Sequence, residues 1–181
     1  MPSARDFRVQ EPLRNGLVVE VRAARPEDRE RIATAFSKLE RETVYLRFFS
    51  HRSELSATEL ARLDNLDFVH DIMLVVTLST QDGEIVIGSG RCIQLEAAPI
   101  RSAEVAFVVE EDYQGLGIAG RLLKHLVTLA RAASIQRLEA DVLSENKAML
   151  AVFARSGLPM RKQRAGGVVH VTLDLSGEKA R

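Results

Sequence analysis

Ser102-Ala-Glu-Val-Ala-Phe-Val-Val-Glu110, Glu111-Asp-Tyr-Gln-Gly-Leu-Gly-Ile-Ala-Gly120 and Arg121-Leu-Leu-Lys-His-Leu-Val-Thr-Leu-Ala130 read in succession as a strand, a glycine loop and an amphipathic helix. Ala119, Leu122, Leu123, Leu126, Val127 and Ala130 recur at helical spacing, and Arg121, Lys124, Thr128 and Arg131 fall on the other face. A glycine turn that opens a helix presents free backbone N–H groups and the positive end of the helix dipole to an anion. One carboxylate, Glu104, sits on the strand feeding that turn. A phosphate cradle beside a general-base candidate predicts an enzyme with a phosphate-bearing cosubstrate.

Working outward, Leu17–Arg22 reads as a strand, and Pro26 with Glu27 and Asp28 opens a helix running to about Leu39. Thr43–Ser50 predicts a second short helix, and Ser56-Ala-Thr-Glu59 is a capping box for a third. Asp71–Ser79 and Glu84–Leu95 are strands about the turn at Gln81-Asp82-Gly83, with Gly88 and Gly90 allowing a bulge or a close approach. Downstream come a strand at Leu138–Leu143, a helix capped by Ser144 and ending at Gly157, and a hairpin turning at Gly166-Gly167. The order predicts a mixed, mostly antiparallel α/β sheet flanked by helices. Residues 1–15 are expected as a loose arm, 16–176 as one domain and 177–181 as a tail.

Composition narrows the classes. The 181 residues carry 25 basic and 25 acidic side chains and 46% hydrophobic residues, as in a soluble domain with no general affinity for nucleic acid. Apolar runs fall far short of the roughly 20 residues that span a bilayer, which predicts no membrane partner. One cysteine, Cys92, excludes an internal disulfide and a Cys-based zinc site, and suits a cytoplasmic location. His51, His70, His125 and His170 share no metal-ligand spacing, so no metal is expected. His125 is expected to be solvated, and His70-Asp71 is a candidate polar pair near an acceptor site.

Two readings compete for the loop. Gly115-Leu-Gly117-Ile-Ala-Gly120 matches a dinucleotide fingerprint, with Glu139 and Asp141 near the expected acid position, which would make the chain an NAD-dependent oxidoreductase. Against it, Glu110–Gln114 separate strand from turn, and too few residues follow for a doubly wound sheet. The other reading is Gln114-x-x-Gly117-x-Ala119. With the strand before it, the helix after it and Asp141-Val-Leu-Ser-Glu-Asn146 downstream, the chain resembles the GNAT-type N-acetyltransferases from about Leu17 to Leu175.

That resemblance implies a GNAT-like acyl-CoA N-acyltransferase fold with acetyl-CoA as cosubstrate and no metal. Phe107, Val108 and Val109 would offer backbone groups to pantetheine, between strands that splay apart. Gln114, Gly115, Leu116, Gly117, Ile118, Ala119, Gly120 and Arg121 would hold pyrophosphate, and Asn146 would assist. Glu104 would be the general base: an amine of pKa about 10.4 is protonated at neutral pH and must lose a proton before it attacks. The oxyanion donors are expected around Val108. Phe153 stands where many members have the tyrosine that protonates the departing thiolate, which leaves Tyr113 or Tyr45 as substitutes, or an unassisted departure. Tyr45-Leu-Arg-Phe-Phe-Ser50 resembles the substrate-side helices of bacterial protein lysine acetyltransferases, which often carry an added regulatory domain. The acceptor is thus a small-molecule amine or a protein lysine. A non-catalytic acyl-CoA-binding module is the alternative, and Arg47 reads as a solvated helix position, with an acidic acceptor surface as the other reading. The sequence fixes neither acyl-chain preference nor oligomeric state.

Overall fold

Alternating β-branched segments build one eight-stranded sheet, seen in a computed structural model that describes residues 3–50 and 52–177. The strands are β1 (Arg8–Pro12), β2 (Val18–Ala23), β3 (Asp71–Thr80), β4 (Gly83–Gln94), β5 (Ser102–Val109), β6 (Arg137–Leu143), β7 (Met160–Ala165) and β8 (Val168–Asp174). They lie in the order β1-β2-β3-β4-β5-β6-β8-β7. Every neighbouring pair is antiparallel except β5–β6. A single parallel pair is incompatible with the doubly wound sheet of the dinucleotide reading.

Helices cover both faces: α1 (Arg29–Ser37), α2 (Arg41–Phe48) and α3 (Ala57–Ala61), then α4 (Ile118–Ala132) and α5 (Lys147–Ala154). Ala103, Val105, Phe107 and Val109 of β5 are buried and share one face by the period of two. That face receives α4 and α5: a Cβ added at Gly90, opposite Phe107 in the ladder, would come within 2.9 Å of the Phe107 ring and 3.1 Å of a Leu126 methyl. Glycine at position 90 is therefore what lets α4 lie close on β4. The extra residue Ile87 bulges β4 against β3, where Gly88 faces Val76 and Val86 faces Thr77.

Two expectations are corrected. The segment read as a loose arm contains the edge strand β1, which pairs with β2 from Arg8↔Arg22 to Pro12↔Val18. Its sequence hides this because only one side of an edge strand touches the core: Val9 packs there, and Phe7 stacks on His125 at 5.0 Å. Pro12 ends the strand, where a missing N–H costs little. Downstream, Asn146 rather than Ser144 caps α5, accepting from the Met149 amide at 3.2 Å, and the helix stops at Ala154. The Ser144 amide is used instead on the Gly167 carbonyl at 2.8 Å. His51 and residues 178–181 of the tail lie outside the described residues.

A buried ion cluster fixes α1 to the sheet. Arg22 of β2 (2% exposed) donates to both oxygens of Asp28 (0%) at 2.8 and 2.7 Å and to Glu84 of β4 at 2.6 Å. The Arg25 amide donates to Asp28 at 2.8 Å. Burial pushes the Asp28 carboxyl upward, but these bonds outweigh it and hold the group below its ordinary value. A carboxylate depressed in the folded state adds stability above its unfolded pKa of about 3.9 and loses it as pH falls through the folded value. Asp28→Ala, which strands the Arg22 cation, is expected to cost about 3–5 kcal/mol, a fall in melting midpoint of roughly 10 °C. Melts from pH 7 to pH 3 should show Asp28→Asn losing less stability over the acid range than the parent.

Candidate active site

Strands β5 and β6 pair only at Ser102↔Arg137, Ala103↔Leu138 and Glu104↔Glu139. Beyond Glu104 they separate. The bonds Leu95 N to Ser102 O and Glu110 N to Ile87 O set the phase of the β4–β5 ladder. By antiparallel alternation, the N–H and C=O of Glu104, Ala106 and Val108 point to β4, and those of Val105, Phe107 and Val109 point into the gap that β6 has left. A cleft of about 1750 Å³ occupies that gap, bounded by α2, α4 and α5. Splayed strands were expected. The expectation of oxyanion donors around Val108 is corrected, because the Val108 amide faces β4; Phe107 and Val109 carry the amides that face the cleft.

The glycine loop closes one end of the cleft. Gly115 (φ +77°) and Gly117 (φ +90°) take the left-handed backbone that glycine favours. Gly117 is the N-cap of α4 and supplies no capping side chain, so the amides of Ile118, Ala119 and Gly120 have no intrahelical acceptor. The first turn of α4 contains no acid. Free amides, an uncapped dipole and no competing carboxylate fit a phosphate group. Gly117 is also packed tight from behind, since an added Cβ would stand 2.5 Å from Arg121 Nη1.

Loop residues divide by role. Gln114 Nε2 donates to Val109 O at 3.0 Å and to Thr43 Oγ1 at 3.3 Å, which ties the loop to β5 and α2. Arg121 donates to Pro12 O at 2.7 Å and Gly117 O at 3.2 Å and lies 3.3 Å from Glu11. Its guanidinium thus braces the loop. Leu116 does not line the cleft; its side chain packs on the core. The sequence missed Arg14, which donates to Gly115 O at 3.1 Å and lines the cleft beside the loop. Lys124 and Lys147, on α4 and α5, line it too. The only available signal was basic residues on helices bounding an anion site.

Glu104 stands at a waist. On the face of β5 opposite α4, Glu104, Ala106, Val108 and Glu110 line a second cavity of about 360 Å³, walled by α1, α3 and β4 and including Ile32, Phe36, Leu60 and Met73. Arg47, Phe48, Glu104, Ala106 and Val108 line both cavities, so the two meet there. Among the described residues the Glu104 carboxylate makes no hydrogen bond or ion pair. It is exposed. At the far end, burial and then the Asp112 and Glu111 carboxylates push Glu110 above its ordinary value.

Other candidates separate from the waist. Asn146 lines the cleft, but its Oδ1 is spent on the α5 cap. Phe153 is buried with its ring 6.1 Å from that of Phe107. Tyr113 lines the cleft and Tyr45 does not. His125 is not solvated: Nε2 lies 2.7 Å from Glu11 Oε1, with the side chain 13% exposed, because β1 covers it. His70 pairs with Asp67 at 2.8 Å rather than Asp71, which instead holds Arg91, and it reaches neither cavity. His170 lies 2.7 Å from Asp141. Cys92 is buried, and its thiol is pushed up to about 12, first by burial and then by Asp71. Among the described residues no group of three or more His, Cys, Asp or Glu is placed to hold a metal ion, and no helix is long and apolar enough to cross a membrane.

This geometry has relatives. The acetyltransferase Pat of Mycolicibacterium smegmatis is 33% identical over 159 residues, covering 87% of this chain and 46% of that protein. The acetyltransferase PA5475 of Pseudomonas aeruginosa is 31% identical over 140 residues, 77% of this chain and 74% of that protein. The chain thus spans about half the length of the first and three-quarters of the second. The crystal structure of the GNAT domain of S. lividans PAT superposes with a TM-score of 0.84 at 32% identity, covering 96% of this chain and 99% of that one. A sequence model described as the acetyltransferase (GNAT) family matches residues 38–158, which hold α2, the waist, the glycine loop and α5. The chain belongs to the GNAT acetyltransferase family, whose cosubstrate is acetyl-CoA.

Proposed function

We propose that this chain transfers an acetyl or other short acyl group from acetyl-CoA to a primary amine, with Glu104 as general base. The observation that carries the reading is the unpartnered Glu104 carboxylate at the junction of a backbone-lined cleft with a largely apolar chamber. Bound acetyl-CoA supplies the acyl carbon: the C–N bond to the acceptor forms, the C–S bond breaks, and the sulfur leaves as thiolate. The protein's part is to bind, deprotonate and stabilise. The amides of Ile118, Ala119 and Gly120 hold pyrophosphate. Phe107 and Val109 pair their outward backbone groups with the pantetheine amides, and one of their N–H groups faces the developing oxyanion. Glu104 takes the ammonium proton and releases the nucleophilic lone pair.

Direct attack is supported by the state of Cys92, whose buried neutral thiol offers no thiolate for an acyl-enzyme. Phe153 has no proton to give. The thiolate then leaves unassisted, with Tyr113 the tyrosine in the cleft. The lone buried cysteine supports a cytoplasmic setting. The resemblance of Tyr45–Ser50 to substrate-side helices supports protein lysine among the candidate acceptors.

Two measurements test the reading. Glu104→Gln should lower kcat/KM by roughly 10²–10⁴-fold and leave the rise in melting midpoint with acetyl-CoA intact. Full transfer activity in that variant removes the base, and no activity in either protein favours the binding-module alternative. Gly120→Asp should separate cofactor binding from folding. Position 120 has open space for a side chain, and an acid there suits the helix terminus. The variant should melt at or above the parent midpoint while losing most of the acetyl-CoA shift, because its carboxylate occupies the field meant for phosphate.

A further inference from the structure

We infer that Arg47 binds a carboxylate on the acceptor, and that the acceptor is a free amino acid with an apolar side chain, acylated on its α-amine. The inference rests on the reading of Glu104 as base and names the substrate class of that site. Arg47 of α2, read from the sequence as solvated or as facing an acidic acceptor, lines both cavities at the waist. Its neighbours in charge are committed, Arg91 to Asp71 and Arg52 to Glu59 at 2.7 Å. Among the described residues the Arg47 guanidinium makes no hydrogen bond or ion pair, and only stacks over the Phe48 ring at 4.7 Å. Burial lowers its pKa, with Arg91 adding to the effect and Glu104 and Glu59 opposing it from beyond bonding distance.

Arg47 is half-buried on the cavity wall without a counter-charge, and a bound anion would offset its partial desolvation. The planar fork of N–H groups matches a carboxylate with two parallel bonds. That anion belongs to the acceptor. The phosphates of acetyl-CoA are drawn to the α4 terminus, and the pantetheine and thioester are neutral. With the amine delivered to Glu104 and a carboxylate to Arg47 on the same waist, an acceptor that carries the two groups close together, as an α-amino acid does, satisfies both. The remaining substituent then enters the chamber, whose 360 Å³ and lining of Ile32, Phe36, Leu60, Met73 and Ile87 suit an aliphatic or aromatic side chain.

Leucine and leucinamide, matched in shape and differing in the carboxylate, test this directly as acceptors with acetyl-CoA. The parent should favour leucine in kcat/KM by at least about tenfold, and Arg47→Gln should cut that leucine-to-leucinamide ratio by roughly 10- to 100-fold, the worth of a charge-assisted bond. Arg47→Lys should restore part of it. In a variant-free arm, N-acetylleucine should raise the parent's melting midpoint more than N-acetylleucinamide does. A ratio near one in the parent, a ratio unmoved by Arg47→Gln, equal shifts from the two products, or acylation of a lysine peptide with leucine untouched overturns the proposal. Absence of an acetyl-CoA melting shift together with an indifferent Glu104→Gln variant signals instead that the site reading itself has failed, and the proposal falls with it.

Discussion

The three-residue parallel ladder between β5 and β6 is the constraint on which the rest depends. Had those strands paired along their length, no cleft would exist, and the outward backbone groups of Val105, Phe107 and Val109 would be ordinary ladder bonds. They can part because each is anchored on its other side, β5 through seven residue pairs with β4 and β6 through seven with β8. An unpaired buried amide costs about 1–3 kcal/mol, so the opening is tolerated only where water or a ligand supplies partners. Gln114 covers one exposed group, the Val109 carbonyl. The remainder line the cleft as a row of bonding positions along an extended ligand.

The alternation of β5 turns that opening into a two-sided device. Residues 103, 105, 107 and 109 face α4, and Gly90 clears the space that lets that helix sit low against the sheet. Residues 104, 106, 108 and 110 face α1–α3 and wall the chamber. On the proposed reading, one strand serves a cofactor through its backbone and an acceptor through its side chains. The ion cluster of Arg22, Asp28 and Glu84 holds the chamber in shape from the other end by fixing where α1 begins.

What the sequence revealed and what it concealed follow from the range of the forces involved. The strand, loop and helix around Gly117 were legible because each is specified locally, by β-branching, by left-handed glycine and by a 3.6-residue apolar period. Glu104 was legible only as a carboxylate on a strand; its place at a junction depends on α1–α3, far away in sequence. Strand β1 was missed because an edge strand with one side in solvent shows little periodicity. The same omission hid Arg14 and misjudged His125, since β1 leads into the one and covers the other. Gln114 and Arg121 were legible as loop residues, but their bonds run to Val109, Thr43 and Pro12, contacts set by tertiary structure.

The distribution of satisfied and unsatisfied charge points to the same place. Arg22, Arg52, Arg91 and Arg121 each meet a carboxylate, as buried or half-buried cations ordinarily do. At the waist the rule lapses: Arg47 and Glu104 line one junction, feel each other's field, and are not joined. Joining them would relieve both and would disable both, because a carboxylate occupied by a guanidinium is a poor proton acceptor and a guanidinium occupied by a carboxylate binds no ligand. On the proposed reading, local stability is forgone where an acceptor would bring partners for both groups.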